Sequence, residues 1–328
     1  MDNENYNIAD VIGPVRVAAF IVCVSGGSLN FLVGYLSILA SKHESVAYSI
    51  LFQITAFSNV ISTVSGFLVL NRCISVGPFN SYGLCVPYGL GAWLGPRFCN
   101  ITDALGAFLG FPASPLIAFM MFVRASIIFG YRMKKHTLII VSIAINAIFF
   151  PIFWYMVISA YMTPDQLLPE WIEDYQSEIQ NRTIYAMGGE TDALVIYVNY
   201  VWTYSAFLPL ACFFICIPMR VATELRLRQF AQNISESTKK IHRAFLNLLS
   251  VDAGIMFLYF FIGTNYSFIH YKVLMDFSYI LYSSPIIFQA IFTIYLIPSL
   301  RSRLQGMYRK NVESTSVTRV SRQLTFIN

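Results

Sequence analysis

Charge is scarce in this chain. Only 12% of its 328 residues are charged, 56% are hydrophobic, and the mean hydropathy is +0.60. A soluble domain carries about a quarter charged residues, so an ordinary soluble protein is excluded. Metal-ligand spacing is lacking too. The six cysteines show no metal pattern and the four histidines are scattered, so no metal, no cofactor and no enzyme are expected. No internal repeat of the kind transporters use is visible, nor a filter-like or pore-lining run of the kind a channel needs. A basic leader is missing as well. Asp2, Glu4 and Asp10 precede the first apolar run, so no cleavable signal peptide is expected.

What the chain has instead is long apolar runs. Seven of them approach or exceed twenty residues, at about 12–40, 49–70, 99–129, 137–161, 193–217, 244–270 and 277–297. Uncharged runs of that length are membrane-spanning helices rather than the alternating strands of a barrel. The fold class expected is an all-α membrane protein, a seven-helix transmembrane bundle. Residues 1–11 form an outer N-terminus, 12–298 the bundle, 299–311 a cytoplasmic helix and 312–328 a disordered tail. Pro112, Pro115, Pro151, Pro209 and Pro285 fall inside spans. They are tolerated there because neighbouring helices satisfy the freed carbonyls.

Basic residues orient the bundle. One set of loops holds Lys42, then Arg132, Lys134 and Lys135, then Arg220 through Arg243, and the tail. The opposite set holds only Arg16, Arg72, Arg97, Arg182 and Lys272. The positive-inside rule puts the first set in the cytoplasm, which places the N-terminus outside. The acids from Asp165 to Asp192 then lie in a long outer loop. That loop carries the sequon Asn181-Arg182-Thr183, a candidate glycosylation site. The first outer loop, 75–98, reads as compact irregular structure. A Cys85–Cys99 disulfide would pin it to the top of span three, and two free thiols are the alternative. After span seven, Leu300, Leu304, Met307 and Tyr308 share one helical face opposite arginines, an amphipathic helix lying on the inner leaflet of the bilayer.

Two charges stand clearly inside the membrane, both toward the inner side. Arg124 lies near the inner end of span three and Asp252 in span six. Each is costly to leave alone in hydrocarbon. Three arrangements are open: Arg124 snorkels to the headgroups, it pairs with Asp252, or it pairs with Glu224 at the end of span five. Without a pair, Ser250 or Asn247 would hold Asp252. The outer halves of the spans supply candidate ligand contacts: Asp103, Phe108, Phe111, Tyr197, Tyr200, Tyr259, Tyr266, Tyr279 and Tyr282, with Trp202 and Tyr204 nearby. Asp103 could pair with a cationic ligand or sit solvated at a helix N-terminus.

Seven spans, an arginine at the inner end of span three and a short helix after span seven resemble a G-protein-coupled receptor. The finer resemblance is to the nematode serpentine chemoreceptors of the Str superfamily, class delta. It rests on Phe122-Val123-Arg124-Ala125, on Ser237-Thr238-Lys239-Lys240 leading into span six, and on Pro298-Ser299-Leu300-Arg301 after span seven. The first outer loop, from Asn71-Arg72-Cys73-Ile74 to Phe98-Cys99, looks most like class delta. The resemblance departs at span six, where Asp252 and Gly254 stand near the position of the family's Gln and Pro. It implies a chemosensory receptor in the plasma membrane of a sensory cilium. Such a receptor takes a small-molecule ligand from outside and signals to a heterotrimeric G protein, with Arg124, Asp252, Glu224, Lys239 and Lys240 as switch and coupling residues. The partners expected are that ligand, the G protein and the lipid bilayer, with no nucleic acid. A transporter or channel subunit is the rival reading.

Overall fold

The structure is a computed structural model that describes residues 8–40, 46–76, 82–110, 112–159, 161–163, 165, 169–173, 182–188, 193–229, 235–266 and 278–308. Its helices follow the apolar runs. Span one is Ile8–Ala40 and span two Val46–Val69. Span three comes in two pieces, Pro96–Gly110 and Ala113–Ile128, because Pro112 cannot continue the helix before it and caps the next. Span four is the most irregular: Lys135–Ala147, Phe150–Trp154 with Pro151 inside, then a π turn at Tyr155–Ser159. Span five is Ala193–Gln229, span six Glu236–Tyr266 and span seven Ser278–Leu296. Among the described residues, five of these spans are long and apolar enough to cross a membrane, the two pieces of span three being taken together.

A terminal helix, Pro298–Tyr308, leaves span seven at 86°. Leu300 is buried in the inner core, and Leu304 and Met307 pack against that core. Tyr308 is exposed. The amphipathic face therefore meets the bundle along its first three apolar positions.

The helices pack one on two and seven, three on two and five, and six on five, seven and three. Small residues allow the closest approaches. A Cβ on Gly106 would meet Ser65 at 3.3 Å, where spans two and three touch. Without a hydrophobic force between helices in lipid, this dispersion packing is what holds them. Among the described residues, the largest core cluster lies in the inner half, built from Leu51, Ile117, Met120, Met121, Phe245, Leu249 and their neighbours.

The outer end carries a feature that reading for helices does not anticipate. The first outer loop is a hairpin, β1 Asn71–Val76 and β2 Tyr82–Pro87. Two strands from the second outer loop join it, β3 Tyr161–Met162 and β4 Tyr185–Gly188, in the order β1-β2-β4-β3, all antiparallel. Gly89 follows β2 where a Cβ would strike the Leu68 carbonyl oxygen at 2.1 Å, so only glycine fits.

Candidate functional site

The sheet is a lid fastened to the bundle, and Asp103 is its fastening point. Its Oδ2 accepts a hydrogen bond from Asn71 Nδ2 of β1 at 3.1 Å and another from the Tyr185 hydroxyl of β4 at 3.4 Å. Asn71 Nδ2 also donates to the Tyr185 hydroxyl at 2.7 Å. The half-buried carboxylate thus binds both outer loops to span three, in place of the solvated helix end considered from sequence. Tyr185 stacks on Tyr161, and the Arg97 guanidinium lies 4.4 Å above the Tyr161 ring. Arg16 of span one donates to the Tyr88 carbonyl at 2.9 Å, and Thr183 to the Ala92 carbonyl at 3.1 Å. Cys85 and Cys99 are both fully buried in one cluster with Val69 and Tyr185, and Cys99 carries a thiol. Strand register sets Cys73 opposite Cys85 as well.

Of the other ligand candidates, Phe108 packs against Phe150 and Phe153 of span four, at 6.2 and 5.7 Å between rings. The side chains of Phe111, Tyr197, Tyr200, Trp202, Tyr204, Tyr259, Tyr266, Tyr279 and Tyr282 lie outside the described residues, as does Asn181.

The inner end is closed differently. Arg124 is only 4% exposed, so it does not snorkel. Its guanidinium stands 4.4 Å over the ring of Phe245 in span six, and that ring stacks on Phe52 of span two at 6.0 Å. A cation on a ring face, desolvated, is worth about 2 kcal/mol. Asp252, the partner for Arg124 considered from sequence, lies elsewhere. Span six begins at Glu236 rather than at 244, so Asp252 sits about four turns into it, roughly 10 Å beyond Phe245 along the axis. There it faces Gln289 of span seven across a small polar cavity.

Asp252 belongs to a polar layer. Asn59 Nδ2 donates to Asn30 Oδ1 and to Gln289 Oε1, each at 3.0 Å, and Asn30 Nδ2 reaches the Ile286 carbonyl at 3.1 Å. These bonds join spans one, two and seven, and Asp252 brings in span six. Asp252 Oδ1 and Thr55 Oγ1 have no protein partner, and both line a cavity of about 10 Å³, the size that holds one water.

Glu224 also goes elsewhere than to Arg124. Its Oε1 meets Arg228 at 3.5 Å and Arg243 of span six at 3.4 Å. The residue that sequence reasoning passed over is Arg220. It donates to the Leu246 carbonyl and to Asn247 Oδ1, both at 3.0 Å, and to the Ser250 hydroxyl. Asn247 and Ser250, proposed from sequence as holders of Asp252, are thus held by Arg220. The signal was available: an arginine just past the end of one apolar run, facing a polar pair spaced i, i+3 on the next. Lys239 is tucked in and paired with Glu236 one turn earlier, while Lys240 is exposed. The hydrogen bond from Lys239 holds the exposed Glu236 carboxyl below the usual carboxylate range.

A bundle of seven spans, fastened outside and clasped inside between spans three, five and six, has the architecture of a seven-transmembrane receptor. Among solved structures, the crystal structure of squid rhodopsin superposes with a TM-score of 0.57 at 14% identity, covering 92% of this chain and 87% of that one. The fold is therefore rhodopsin-like. The family model "Serpentine type 7TM GPCR chemoreceptor Srd" matches residues 15–306, and the chain belongs to that family. A search of curated proteins finds no match. The protein is a multi-pass membrane receptor of the G-protein-coupled type, and its family is one of receptors rather than enzymes.

Proposed function

We propose that the protein is a plasma-membrane chemosensory receptor of the Str superfamily, class delta, that takes a small-molecule ligand from the outer side and signals to a heterotrimeric G protein. The observation that carries this reading is the Arg124–Phe245 stack, which ties span three to span six at the cytoplasmic end. Separating those two spans would expose Arg124 and the basic start of span six, Lys239 and Lys240, to a cytoplasmic partner. Arg124 is then the coupling residue. Asp252 and its polar layer pass movement of span seven to span six, and Glu224 acts as a secondary latch. The ligand enters from the outer side and is contacted by the residues the sequence nominates, Asp103, Phe108, Phe111, Tyr197, Tyr200, Tyr259, Tyr266, Tyr279 and Tyr282, and the lid restricts its entry. Sensory-cilium placement follows from the class alone.

Cells expressing the protein, screened against small volatile and water-soluble compounds with a second-messenger readout, test the reading. At least one compound should evoke a response in the wild type that Arg124→Ala lacks at equal surface density. Compound uptake without any second-messenger change would favour a transporter instead. Two modifications complete the proposal. Asn181 carries the glycan, so Asn181→Gln should remove the glycosidase-sensitive gel shift. Cys85 and Cys99, held in one buried cluster with the Cys99 thiol reduced in this structure, would be oxidised to a disulfide in the outer compartment, so peptide mapping should find that pair and not Cys73–Cys85.

A further inference from the structure

A groove of about 530 Å³ runs down the inner half of spans three and five. Its walls are Phe122, Ala125 and Phe129 of span three and Met219 and Ala222 of span five, and Arg132 stands at its mouth. Phe122, Phe129 and the nearby Val221 and Leu225 are exposed, so the groove opens on the lipid-facing side of the helices. Phe122 and Met219 lie inside membrane-spanning helices, whereas Arg132 lies beyond the end of span three. The groove therefore crosses from the hydrocarbon to the headgroup level.

The charge at that level has one sign. Arg132, Lys134 and Lys135 are exposed, and the Arg226 guanidinium lies 5.6 Å from the Phe129 ring. No Asp or Glu occurs anywhere between Asp103 and Asp165. Glu224, on the same helix as Arg226, is turned to Arg228 and Arg243. An apolar slot beneath a cationic rim matches a molecule with a long apolar chain and an anionic head. Basic pockets between helices on the cytoplasmic side are suited to anionic headgroups.

We infer that this groove binds one anionic phospholipid of the cytoplasmic leaflet, with an acyl chain between Phe122 and Met219 and the phosphate at Arg132, Lys134 and Lys135. A lipid seated there would sit against the helix that carries Arg124.

Native mass spectrometry of the purified full-length receptor tests this, with phosphatidylserine and phosphatidylcholine of identical chains as probes. The wild type should retain one phosphatidylserine in clear preference to phosphatidylcholine. Ala125→Phe with Ala222→Phe, which fills the slot and leaves the charges, should lose that single tightly held lipid. Arg132→Gln with Lys134→Gln and Lys135→Gln changes exposed residues alone. It should weaken phosphatidylserine about fivefold per charge removed and leave phosphatidylcholine unchanged. Glycerophosphoserine, the headgroup without chains, should not compete. Equal retention of the two lipids by the wild type, loss of preference in neither variant, or full competition by glycerophosphoserine would each overturn the proposal. A thermal melt of the filled variant checks that it folds, and the charge variant decides the matter if it does not.

Discussion

The outer and inner ends of the bundle are held together by opposite strategies. Outside, a four-stranded sheet shares backbone hydrogen bonds between two loops, and Asp103 ties it to span three through Asn71 and Tyr185. Inside, no sheet bridges the described helices. The contacts that draw span six in are side chains: Arg124 over Phe245, Arg220 to Asn247, Ser250 and the Leu246 carbonyl, and Glu224 to Arg243. A backbone ladder breaks cooperatively, all at once or not at all. A few side-chain contacts can be broken by rotating one helix. The outer end is therefore held by backbone pairing and the inner end by side-chain contacts that movement of a single helix can break.

The largest effect expected is from Arg124→Ala. It removes the clasp and the cation proposed to face the G protein, so evoked second-messenger signalling should vanish at matched surface expression. Arg124→Lys should rescue little, because a point ammonium does not stack on a ring as a planar guanidinium does. Next comes Arg220→Met. It deletes three hydrogen bonds to span six from a partly exposed arginine, worth about 2 kcal/mol together. Basal signalling should rise several-fold with no loss of maximal response. A fall in basal signalling would erase the difference between the two ends.

Asp103→Asn should act in the opposite sense. It weakens the lid fastening by about 1 kcal/mol and should lower the melting temperature while leaving basal signalling alone. If it raised basal signalling instead, the lid would be part of the switch. The smallest effect is expected from Glu224→Gln. Both of its partners are half exposed or more, so each pair is worth under about 1 kcal/mol, and basal signalling should rise less than for Arg220→Met. High salt should mimic this change in the wild type, since it screens exposed pairs.

Much of the bundle is legible in the sequence, because hydrocarbon imposes one rule on every span. Apolar length placed the helices, and the break at Pro112 follows from the ring's missing N–H. What was not legible lies where polar chemistry extends the helices. Apolar runs end at about 217 and begin again at about 244, yet the helices run to Gln229 and start at Glu236. Charged residues form helix readily outside the membrane, and hydropathy does not register them. That extension moved the inner end of span six. It set Phe245 rather than Asp252 level with Arg124, and brought Arg220 and Glu224 within reach of span six. Asp103 was legible as an unusual residue but not as a fastener, because its partners Asn71 and Tyr185 stand 114 residues apart in the chain and meet only through the sheet.

The central claim is that Arg124 holds span six through Phe245 and not through Asp252. A double-mutant cycle on the thermal stability of the purified resting receptor tests it most directly, combining Arg124→Met in turn with Phe245→Leu and with Asp252→Asn. A coupling of about 1–2 kcal/mol is expected between Arg124 and Phe245, with additivity within about 0.5 kcal/mol between Arg124 and Asp252. Coupling with Asp252 and additivity with Phe245 would contradict it.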